Sequence, residues 1–480
     1  MSDHLAFLRI DLPLVVDRSR SQPLSGQIAG QVRAAVRAGR LAAGERLPSS
    51  RALAAALGVS RTVVTEAYLQ LYAEGWLDGR HGSGTYVADV APPPAAGQPS
   101  DLAGRPAAPV PMQPVTAAGT PMVHDLLPGM PWTAGVDGVA WRRAWRQAAA
   151  APLPGLPGLW PDQQGSPALR ETLADYLRRA RGVVCRSHQI VVTRGATHGL
   201  SLLAGAFLAP GDRVGVEDPG YTRARGVLAG RGAEVVACPV DEDGLVVGAL
   251  PDDMRMVYTT PAHQYPLGGR LPIRRRQALL DWARRRGALV AEDDYDGEFR
   301  YDVAPLPTLH GLDPEIVVYL GTTSKTLTPD LGVGWLVAGE AVARRVVAYR
   351  GELGDLPPGV PQEAVRLLVE RGELDRHVRR MRGEYARRRA VVVEAFRDLP
   401  APLRLLGDTA GLHVVLALPE AVAATLSRDA ESHGIGVREL ASYYAGPADR
   451  HGLVIGYGGL PIAELRRACA ALRALLPMRP

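Results

Sequence analysis

One primary amine stands out among the residues that could do chemistry. Lys325 is the only lysine in the 480 residues, and the other 54 side chains in the Lys and Arg total of 55 are arginine. A lysine amine can lose its proton and condense with a carbonyl, whereas a guanidinium stays protonated. Chance survival of one lysine would rarely leave it in a Ser-Lys motif after an apolar run, as in IVVYLGTTSK. The sequence therefore predicts that Lys325 reacts with an aldehyde, and pyridoxal 5'-phosphate (PLP) is the obvious one in an α/β domain.

A carboxylate suited to the pyridine nitrogen of PLP follows another apolar run. ALVAEDDY, residues 288–295, is typical of a buried strand, and Asp293 lies near its end. A carboxylate there would keep the ring protonated, which makes the ring an electron sink. Tyr295 is two residues further on, so strand alternation predicts the same side, where its hydroxyl would contact the ring oxygen. The alternative, a solvent-exposed acidic loop without a role in the site, is credible for Asp294 and Asp296.

The phosphate and carboxylate groups of a ligand also have candidate partners. VVTRGATHGLSLLAGAFL predicts a strand, a turn and a helix, whose first backbone N–H groups, at Gly195, Ala196 and Thr197, would bind a phosphate. In EDPGYTR, Tyr221 offers an aromatic face to the pyridine ring, and Arg223 offers a guanidinium to a carboxylate.

The elements that must position these groups form an α/β pattern after residue 122. Short apolar runs alternate with helix-length stretches, which predicts βαβ units and a mostly parallel sheet covered on both faces. The runs are QIVVT (189–193), RVGVED (213–218), MRMVYTT (254–260), ALVAEDDY (288–295) and IVVYLG (316–321). Ligands of such sheets bind at the carboxyl ends of the strands.

The first 90 residues follow a different pattern, helical and then briefly β. Ser49 or Ser50 would cap a short helix that ends at Gly58, and Ser60 would cap the next helix. The residues predicted to turn inward are Leu53, Ala56 and Leu57 in the first helix, and Val63, Val64, Ala67, Tyr68 and Leu71 in the second. Two helices joined by a three-residue turn form a helix-turn-helix, and the glycine-rich stretch that follows predicts a β-hairpin, or wing.

Polar and basic side chains on this unit are suited to DNA. On the second helix, Arg61, Thr62, Thr65 and Glu66 project away from the apolar face, as in a recognition helix that enters the major groove. The residues expected to contact DNA are Arg51, Ser60, Arg61, Thr62, Thr65, Arg80, His81 and Gly82. The alternative is that they form the solvated faces of a small helical domain.

A Pro-, Ala- and Gly-rich segment, residues 91–122, separates the two patterns. It is nearly uncharged and almost lacks large apolar residues, so it cannot form a core. We therefore predict a winged helix-turn-helix domain over residues 1–90, a linker over 91–122 and an α/β domain over 123–480. The alternative is a disordered insertion within a single domain.

Composition narrows the class of protein. The hydrophobic content of 46% and the charged content of 22% are those of a soluble globular protein. No apolar run reaches about eighteen residues, and the N-terminus lacks the pattern of a signal peptide, so we expect a cytoplasmic protein without membrane contact. Cys185, Cys238 and Cys469 are few and scattered, which suits a reducing compartment and predicts no metal site. The net charge of +5 is mild and decides nothing alone.

Both halves of the chain resemble known families. Residues 23–87, with LPSSRALAAALGVSRTVVTEAYLQLYAEG and the wing RHGSGTYV, resemble the GntR-type winged helix-turn-helix. Residues 123–478 resemble fold-type I, aspartate-aminotransferase-like PLP enzymes. The motifs EDPGY, TTPAHQYPLGG, EDDYDGEFRYD and YLGTTSKTLTP, placed behind a GntR-type winged helix, resemble the MocR/GabR family of bacterial regulators.

The resemblance implies a role for each cofactor residue. Lys325 would carry PLP as an internal aldimine, and Asp293 would pair with the pyridine nitrogen. Tyr295 would contact the ring oxygen, Tyr221 would stack on the ring and Thr322 would face the phosphate.

The resemblance also implies effector and partner contacts. The segment 263–266, which contains Tyr265, would take the place of the asparagine-containing loop beside the ring in aminotransferases. Arg223 would bind an effector carboxylate, and Arg438 would be a second carboxylate clamp. Family members are typically homodimers with the winged helix of one chain over the large domain of the other, which implies paired DNA half-sites.

Two positions depart from the family pattern. An arginine that grips the phosphate commonly lies seven residues after the lysine, and here that residue is Gly332. Trp160 stands where a tyrosine often reaches the phosphate of the neighbouring subunit. A lost charged hydrogen bond costs about 1.5–3 kcal/mol, or roughly ten- to a hundredfold in affinity, so we expect weakened PLP binding unless another arginine substitutes. Arg194 is the nearest candidate in sequence.

Three functions fit these features. The first is a PLP-dependent transcriptional regulator that senses PLP or an amino-group effector and controls vitamin B6 synthesis or an amino-acid pathway. The second is a competent aminotransferase with an attached DNA-binding domain. The third is a regulator whose large domain has lost PLP and serves dimerisation. The retained lysine disfavours the third, and the fusion and the altered phosphate grip disfavour the second, so we expect a sensor with at most a residual transaminase half-reaction.

Overall fold

The structure, a computed structural model, describes residues 14–20, 22–73, 76–80, 84–88, 123–150, 162–301 and 308–477. Contacts divide the chain into two units, Met1–Met112 and Gln113–Pro480. The predicted linker over 91–122 lies outside the described residues, so the proposed domain limits at residues 90 and 123 stay predictions.

The described residues of the first unit form three helices and a small antiparallel sheet. Its elements are α1 (Leu24–Arg37), β1 (Arg46–Leu47), α2 (Ser50–Leu57), α3 (Arg61–Ala73), β2 (Leu77–Arg80) and β3 (Gly84–Val87). Strand β3 lies between β1 and β2 and pairs antiparallel with both. The β2–β3 pair forms the predicted wing next to the predicted helix-turn-helix.

Helix caps fix the turn between α2 and α3. The Ser49 hydroxyl accepts a hydrogen bond from the Ala52 N–H at 3.2 Å, which satisfies one of the free donors at the start of α2. Gly58 ends that helix with a φ of +63°, a backbone region that favours glycine. The Ser60 hydroxyl accepts from the Val63 N–H at 3.4 Å.

The apolar face of α2 differs from the prediction at one residue. Leu53 and Ala54 are buried, whereas Ala56 is exposed. At about 100° per residue, positions 53, 54 and 57 lie within one arc, and position 56 lies about 60° outside it. The inward residues of α3 agree with the prediction: Val64, Ala67, Tyr68 and Leu71 are buried and Val63 is half-buried.

The described residues of the second unit form an α/β domain with a large sheet, a small sheet and a parallel pair of short strands, β4 and β15. Its helices are α4 (Gly138–Ala150), α5 (Pro167–Arg181), α6 (Ala196–Phe207), α7 (Thr222–Ala229), α8 (Ile273–Arg286), α9 (Glu340–Glu352), α10 (Gly359–Glu370), α11 (Glu373–Ala395), α12 (Glu420–Ser432) and α13 (Ile462–Ala474). Its strands are β4 (His124–Asp125), β5 (Ile190–Thr193), β6 (Arg213–Asp218), β7 (Glu234–Asp241), β8 (Gly244–Leu245), β9 (Met256–Thr259), β10 (Leu289–Asp293), β11 (Val317–Thr322), β12 (Gly334–Val337), β13 (Arg404–Leu406), β14 (His413–Ala417), β15 (Ile435–Gly436), β16 (Arg438–Glu439) and β17 (Gly452–Gly456).

The large sheet is mostly parallel, as predicted. Its strand order is β5-β12-β11-β10-β9-β6-β7-β8. The pairs from β11 to β7 are all parallel, while β12 runs antiparallel to β11 and to β5, and β8 returns antiparallel to β7. Every residue of β5, β9, β11 and β12 is buried, which matches a sheet covered on both faces.

The carboxyl ends of five strands meet at one edge of this sheet. Strand β5 points the same way as β11, because both run antiparallel to β12. The residues that end these strands are Thr193 (β5), Asp218 (β6), Thr259 (β9), Asp293 (β10) and Thr322 (β11). Most of the predicted site residues therefore follow strands that end at the same edge.

The small sheet brings a later part of the chain into the same unit. It is antiparallel with the order β13-β14-β17-β16, and Arg438 begins its edge strand β16. In the part of the chain that the structure describes, no helix is long and apolar enough to cross a membrane.

Candidate functional site

Asp293, at the end of β10, carries an unsatisfied carboxylate oxygen. Its Oδ2 accepts a hydrogen bond of 2.6 Å from the Tyr258 hydroxyl, while Oδ1 is buried without a hydrogen-bond partner among the described residues. Burial raises the pKa of Asp293 to about 7, against the opposing effect of the Tyr258 hydrogen bond and of the charge of Lys325. Buried polar atoms are rarely left unpaired. An oxygen in this state is suited to a ligand donor such as a protonated ring nitrogen.

The neighbouring acids are not solvent-exposed, so the alternative of a solvated acidic loop is wrong. Asp294 and Asp296 are only 5% and 3% exposed. Asp294 forms an ion pair of 2.6 Å with Arg181 of α5, and its Oδ2 also accepts from the Tyr319 hydroxyl at 2.8 Å. Asp296 Oδ2 lies 2.9 Å from His263 Nδ1. Each acid is buried because a partner from a distant part of the sequence satisfies it.

Lys325 lies three residues after the end of β11 with its amine buried. The Nζ donates a hydrogen bond of 2.5 Å to the backbone carbonyl of Gly129. Burial lowers the pKa of Lys325, and the charges of Asp296 and Asp293 oppose this only in part. A lysine with a lowered pKa is more often neutral and can attack a carbonyl. Asp293 and Lys325 are close enough for each to shift the pKa of the other.

Tyr295 lies beside a histidine, and strand alternation does not explain its place. Strand β10 ends at Asp293, so Tyr295 falls in the turn that follows. Its hydroxyl lies 2.9 Å from His263 Nδ1 and donates to the His263 carbonyl at 3.1 Å. The two rings are stacked, with centroids 6.0 Å apart. Tyr295 thus belongs to a hydrogen-bonded group with His263 and Asp296.

A cluster of tyrosines lines the same edge. Tyr221, just before α7, has its hydroxyl 3.3 Å from Thr197 Oγ1. Its ring meets that of Tyr265 edge-to-face at 5.9 Å. The Tyr265 ring also meets that of Tyr295 edge-to-face at 5.6 Å, and its hydroxyl lies 3.1 Å from that of Tyr443. Tyr265 therefore connects Tyr221 and Tyr295 with Tyr443, which follows strand β16 of the small sheet.

The start of α6 forms a cradle with the end of β11. The backbone of Gly195 has a φ of +120°, and a Cβ added there would lie 3.5 Å from Thr322 Oγ1. The Thr322 hydroxyl donates to the Ser324 hydroxyl at 2.9 Å. Ala196 and Thr197 begin the helix, so their N–H groups lack intrahelical acceptors. Hydroxyls and free N–H groups that converge in this way suit a phosphate.

The two arginines predicted to bind an effector carboxylate approach the tyrosines from two sides. Arg223, in α7, interacts with Tyr221 and opposes the rise in pKa that burial causes there. Arg438, in β16, has a similar opposing effect on the pKa values of Tyr443 and Tyr265. Arg223 thus belongs to the large-sheet part of the domain, and Arg438 belongs to the small sheet.

The residues at this edge fit PLP. The cradle at Gly195 and Thr322 would hold the phosphate, Asp293 Oδ1 would take the ring nitrogen, and the Lys325 amine lies near Asp293. The free oxygen of Asp293 is the observation that tests the fit, because a buried carboxylate oxygen without a partner among the described residues is suited to a ligand donor. Trp160 lies outside the described residues, so its part in the site stays a prediction.

The predicted DNA-contact residues occupy the outer face of the first unit. Arg51, Ser60, Arg61, Thr62 and Thr65 are all exposed. The Thr65 hydroxyl donates to the Arg61 carbonyl at 2.9 Å, and the Arg61 guanidinium donates to the Ser50 hydroxyl at 3.4 Å. His81, Gly82 and the side chain of Arg80 lie outside the described residues.

Sequence reasoning missed several residues of the site. Tyr258, Ser324, Gly129 and Tyr443 contact the predicted residues, and His263 was considered only as part of a loop. Ser324 was detectable, because it adjoins Lys325 in the TTSK motif. Gly129 and Tyr443 lie 196 residues before Lys325 and 178 residues after Tyr265, so no local pattern could connect them with the site.

Family comparisons agree with the division of the chain. The family described as "Bacterial regulatory proteins, gntR family" matches residues 24–87. The family "Aminotransferase class I and II" matches residues 143–472.

Similar proteins span nearly the whole chain. The HTH-type pyridoxine biosynthesis transcriptional regulator PdxR of Corynebacterium glutamicum is 39% identical over 465 residues, which cover 96% of this chain and 98% of that protein. The probable rhizopine catabolism regulatory protein MocR of Rhizobium meliloti is 34% identical over 476 residues, which cover 96% and 95%.

Solved structures match the second unit. The α-aminoadipate aminotransferase LysN of Thermus thermophilus, complexed with N-(5'-phosphopyridoxyl)-L-leucine, matches with a TM-score of 0.67 and 25% identity over 73% of this chain and 91% of that chain. An archaeal alanine:glyoxylate aminotransferase matches with a TM-score of 0.69 and 23% identity over 75% and 91%, a likeness of fold alone.

Proposed function

Because this chain belongs to the MocR/GabR-type family of HTH transcriptional regulators, which join a GntR-type DNA-binding domain to an aminotransferase class I and II domain, we propose that it regulates transcription by sensing PLP. The aminotransferase-like domain is a PLP-binding domain. The finer proposal is that PLP is a reversible effector and that the regulated genes supply vitamin B6. The 39% identity to a pyridoxine biosynthesis regulator supports it.

One observation carries the proposal: residues suited to bind PLP lie around a phosphate cradle, and the arginine that the family pattern places at position 332 is absent. Gly332 stands where the family pattern has an arginine, and a Cβ added there would meet no described atom within 4 Å. A sensor must release its ligand at the concentrations that it measures, whereas an enzyme must keep its permanent cofactor bound. A weakened phosphate contact therefore suits a sensor better than an enzyme.

When bound, PLP supplies an aldehyde that reacts with primary amines and a pyridinium ring that withdraws electrons. Lys325 would provide the amine, whose pKa burial lowers and which the Gly129 carbonyl holds in place by a hydrogen bond. Asp293 would accept the ring N–H on Oδ1, and the Tyr258 hydroxyl would hold the carboxylate in position through Oδ2.

The surrounding residues would orient the ligand and exclude water. Tyr221 and Tyr265 would lie against the ring. Tyr295 would place its hydroxyl near the ring oxygen, and its contact with His263 would fix the position of that hydroxyl. Where an amino-group effector is used, Arg223 of α7 and Arg438 of β16 would bind its carboxylate. A ligand that contacts both the large-sheet and the small-sheet parts favours one arrangement of these parts over others, which is the differential affinity that a switch requires.

We further propose that the protein acts in the cytoplasm as a homodimer. Two winged helices would then bind paired half-sites on operator DNA, with α3 in the major groove and the β2–β3 wing on the flanking backbone. Exposed Arg51 and Arg61 would contact phosphates or base edges.

The test is DNA binding with and without PLP. Fragments that the purified protein selects from genomic DNA are labelled, and their affinity is measured by fluorescence anisotropy over a series of PLP concentrations. We expect PLP to shift the affinity in the wild type and not in Lys325→Arg. A wild-type affinity that is independent of PLP would refute PLP as the effector.

A second candidate function is a residual transaminase half-reaction. The Lys325 amine, whose pKa burial lowers, favours it, because a basic amine beside the bound ligand could move a proton at the substrate carbon. Release of keto acid from an amino acid by the PLP-loaded protein would support this activity. Its absence would leave the domain as a sensor alone.

A further inference from the structure

Four ionisable side chains form a cluster beside the phosphate cradle. Arg194 comes directly before Gly195, His198 lies in the first turn of α6, and Arg350 and Asp355 come from the end of α9 and the loop after it. Arg194 Nη1 donates to Asp355 Oδ1. The other oxygen, Oδ2, lies 3.0 Å from Arg350 Nε and 3.2 Å from His198 Nε2. One carboxylate therefore faces three groups that can be cationic.

The hydrogen bonds indicate that His198 is neutral. Its Nδ1 accepts from the backbone N–H of Arg194 at 2.9 Å, so its proton lies on Nε2, which faces Asp355. Burial, followed by the charge of Arg194, lowers the pKa of His198 to about 4. The cluster then holds two guanidinium charges against one carboxylate charge, an excess of one positive charge next to the cradle.

The two arginines differ in how firmly they are held. Arg350 is fully buried, and its guanidinium also donates to the carbonyls of Val192 at 2.5 Å and Gln163 at 3.1 Å. The side chain of Arg194 is 47% exposed, and its guanidinium contacts only Asp355 among the described residues. Asp355 keeps a cationic partner in Arg350 if Arg194 leaves. Arg194 is therefore the cation that can move at little cost.

We propose that Arg194 is the side chain that binds the phosphate of the ligand, and that Asp355 holds Arg194 when no phosphate is present. This inference rests on the proposed function, since it assigns a residue to the phosphate site of the same ligand. The ligand class is a phosphate ester dianion, and the exchange of one anion for another makes phosphate binding reversible. The contact becomes weaker than that of an arginine with no competing carboxylate, because the phosphate must displace Asp355.

The geometry around Gly332 bears on the role of Arg194, because Gly332 stands at the position of the family's phosphate-binding arginine. The loop that carries Gly332 returns to the cradle, where a Cβ on Gly334 would lie 2.5 Å from the Gly195 Cα. Gly332 itself has a φ of +58° and ends a short 3₁₀ turn. A Cβ there meets no described atom within 4 Å, so a side chain can begin at this position without a clash, at the cost of a left-handed backbone.

The experiment compares a ligand that has a phosphate with one that lacks it. PLP and pyridoxal are titrated separately into the apo forms of the wild-type protein, Arg194→Gln, Gly332→Arg and the double variant, with absorbance and calorimetry as readouts. We expect Arg194→Gln to weaken PLP binding about ten- to a hundredfold and to leave pyridoxal binding unchanged. Gly332→Arg should restore PLP affinity in the Arg194→Gln background.

Controls separate this contact from a general loss of charge or of structure. Arg213→Gln removes another ion-paired arginine, at the amino end of β6 and thus at the opposite edge of the sheet, and should leave the affinities for both ligands unchanged. Circular dichroism and urea unfolding show whether each variant is folded.

The outcomes distinguish the two proposals. An equal loss for PLP and pyridoxal in Arg194→Gln, or no loss for either, would overturn the role of Arg194 and leave PLP sensing intact. Failure of the wild-type protein to bind either ligand would refute the proposed function, and this inference with it.

Discussion

When no ligand is bound, the ionised carboxylate of Asp293 should lower the free energy of unfolding. Asp293→Asn should remove this destabilisation. Burial raises the pKa of this carboxyl from an ordinary 3.8 to about 7. The folded state therefore holds the proton more tightly than the unfolded state, and stability falls as pH rises from about 4 to about 7, then levels off. A shift of about three pH units at about 1.4 kcal/mol each predicts a cost of roughly 4 kcal/mol once Asp293 is ionised.

The assay is urea unfolding of the apo-protein at pH 5 and pH 8. The gain in the free energy of unfolding that Asp293→Asn produces should be larger at pH 8 than at pH 5 by roughly 2–3 kcal/mol, because two of the three pH units lie between 5 and 7. The same variant should bind PLP more weakly, since an amide is a poorer partner than a carboxylate for a protonated ring nitrogen.

Asp253→Asn is the matched control. This acid is exposed, and its hydrogen bond from Arg213 lowers its pKa, so the substitution should give no stabilisation at pH 8. An effect of Asp293→Asn that is the same at both pH values would refute the reasoning, because it would mean that ionisation of Asp293 carries no cost in the folded protein.

Three further predictions follow from other contacts. Gly195→Ala should weaken PLP binding more than pyridoxal binding, because its Cβ would lie 3.5 Å from Thr322 Oγ1 in the cradle and the φ of +120° disfavours alanine; equal losses in parallel titrations would contradict this. Arg181→Met should lower the free energy of unfolding in urea by about 3–5 kcal/mol, because it leaves Asp294 buried without its ion pair. Adding Asp294→Leu should recover part of this loss. If it does not, packing and not the ion pair determines the effect. Arg61→Ala should weaken DNA binding and reduce the slope of log affinity against log salt concentration by about one, while PLP binding stays the same. An unchanged slope would show that Arg61 does not contact a DNA phosphate.

The sheet was predictable because its signal is local. The run RVGVED was predicted at residues 213–218, and β6 has these bounds. The runs that predicted β10 and β11 end within two residues of the observed strands. Such runs are continuous because both faces of the sheet are covered, so each strand shows its burial in its own residues.

The burial of the acidic residues was not predictable from the same stretch of sequence. Asp294 and Asp296 follow a strand and look like a solvated loop. Their partners, Arg181 and His263, lie 113 and 33 residues earlier in the chain. A carboxylate can be buried only when a partner satisfies it, and a partner brought by tertiary folding leaves no local pattern.

The surroundings of Tyr295 and of Arg194 were also not predictable from the sequence. Alternation along β10 was extended to Tyr295, although the strand ends two residues earlier and the hydroxyl is directed by His263. The sequence placed Arg194 next to the cradle but could not reveal Asp355, which lies 161 residues away and holds its guanidinium. Residue identity predicted which groups take part, and the fold decides where they point.

The most direct test of the account is a PLP titration of the apo-protein, followed by visible absorbance, with Lys325→Arg in parallel. The wild-type protein should show a saturable change in absorbance that Lys325→Arg lacks, because the sole primary amine of the side chains would be gone. Its midpoint should fall near cellular PLP concentrations and should match the midpoint of the change in DNA affinity. Identical titrations of the two proteins would contradict the account, since the large domain would then bind PLP without its amine or not at all.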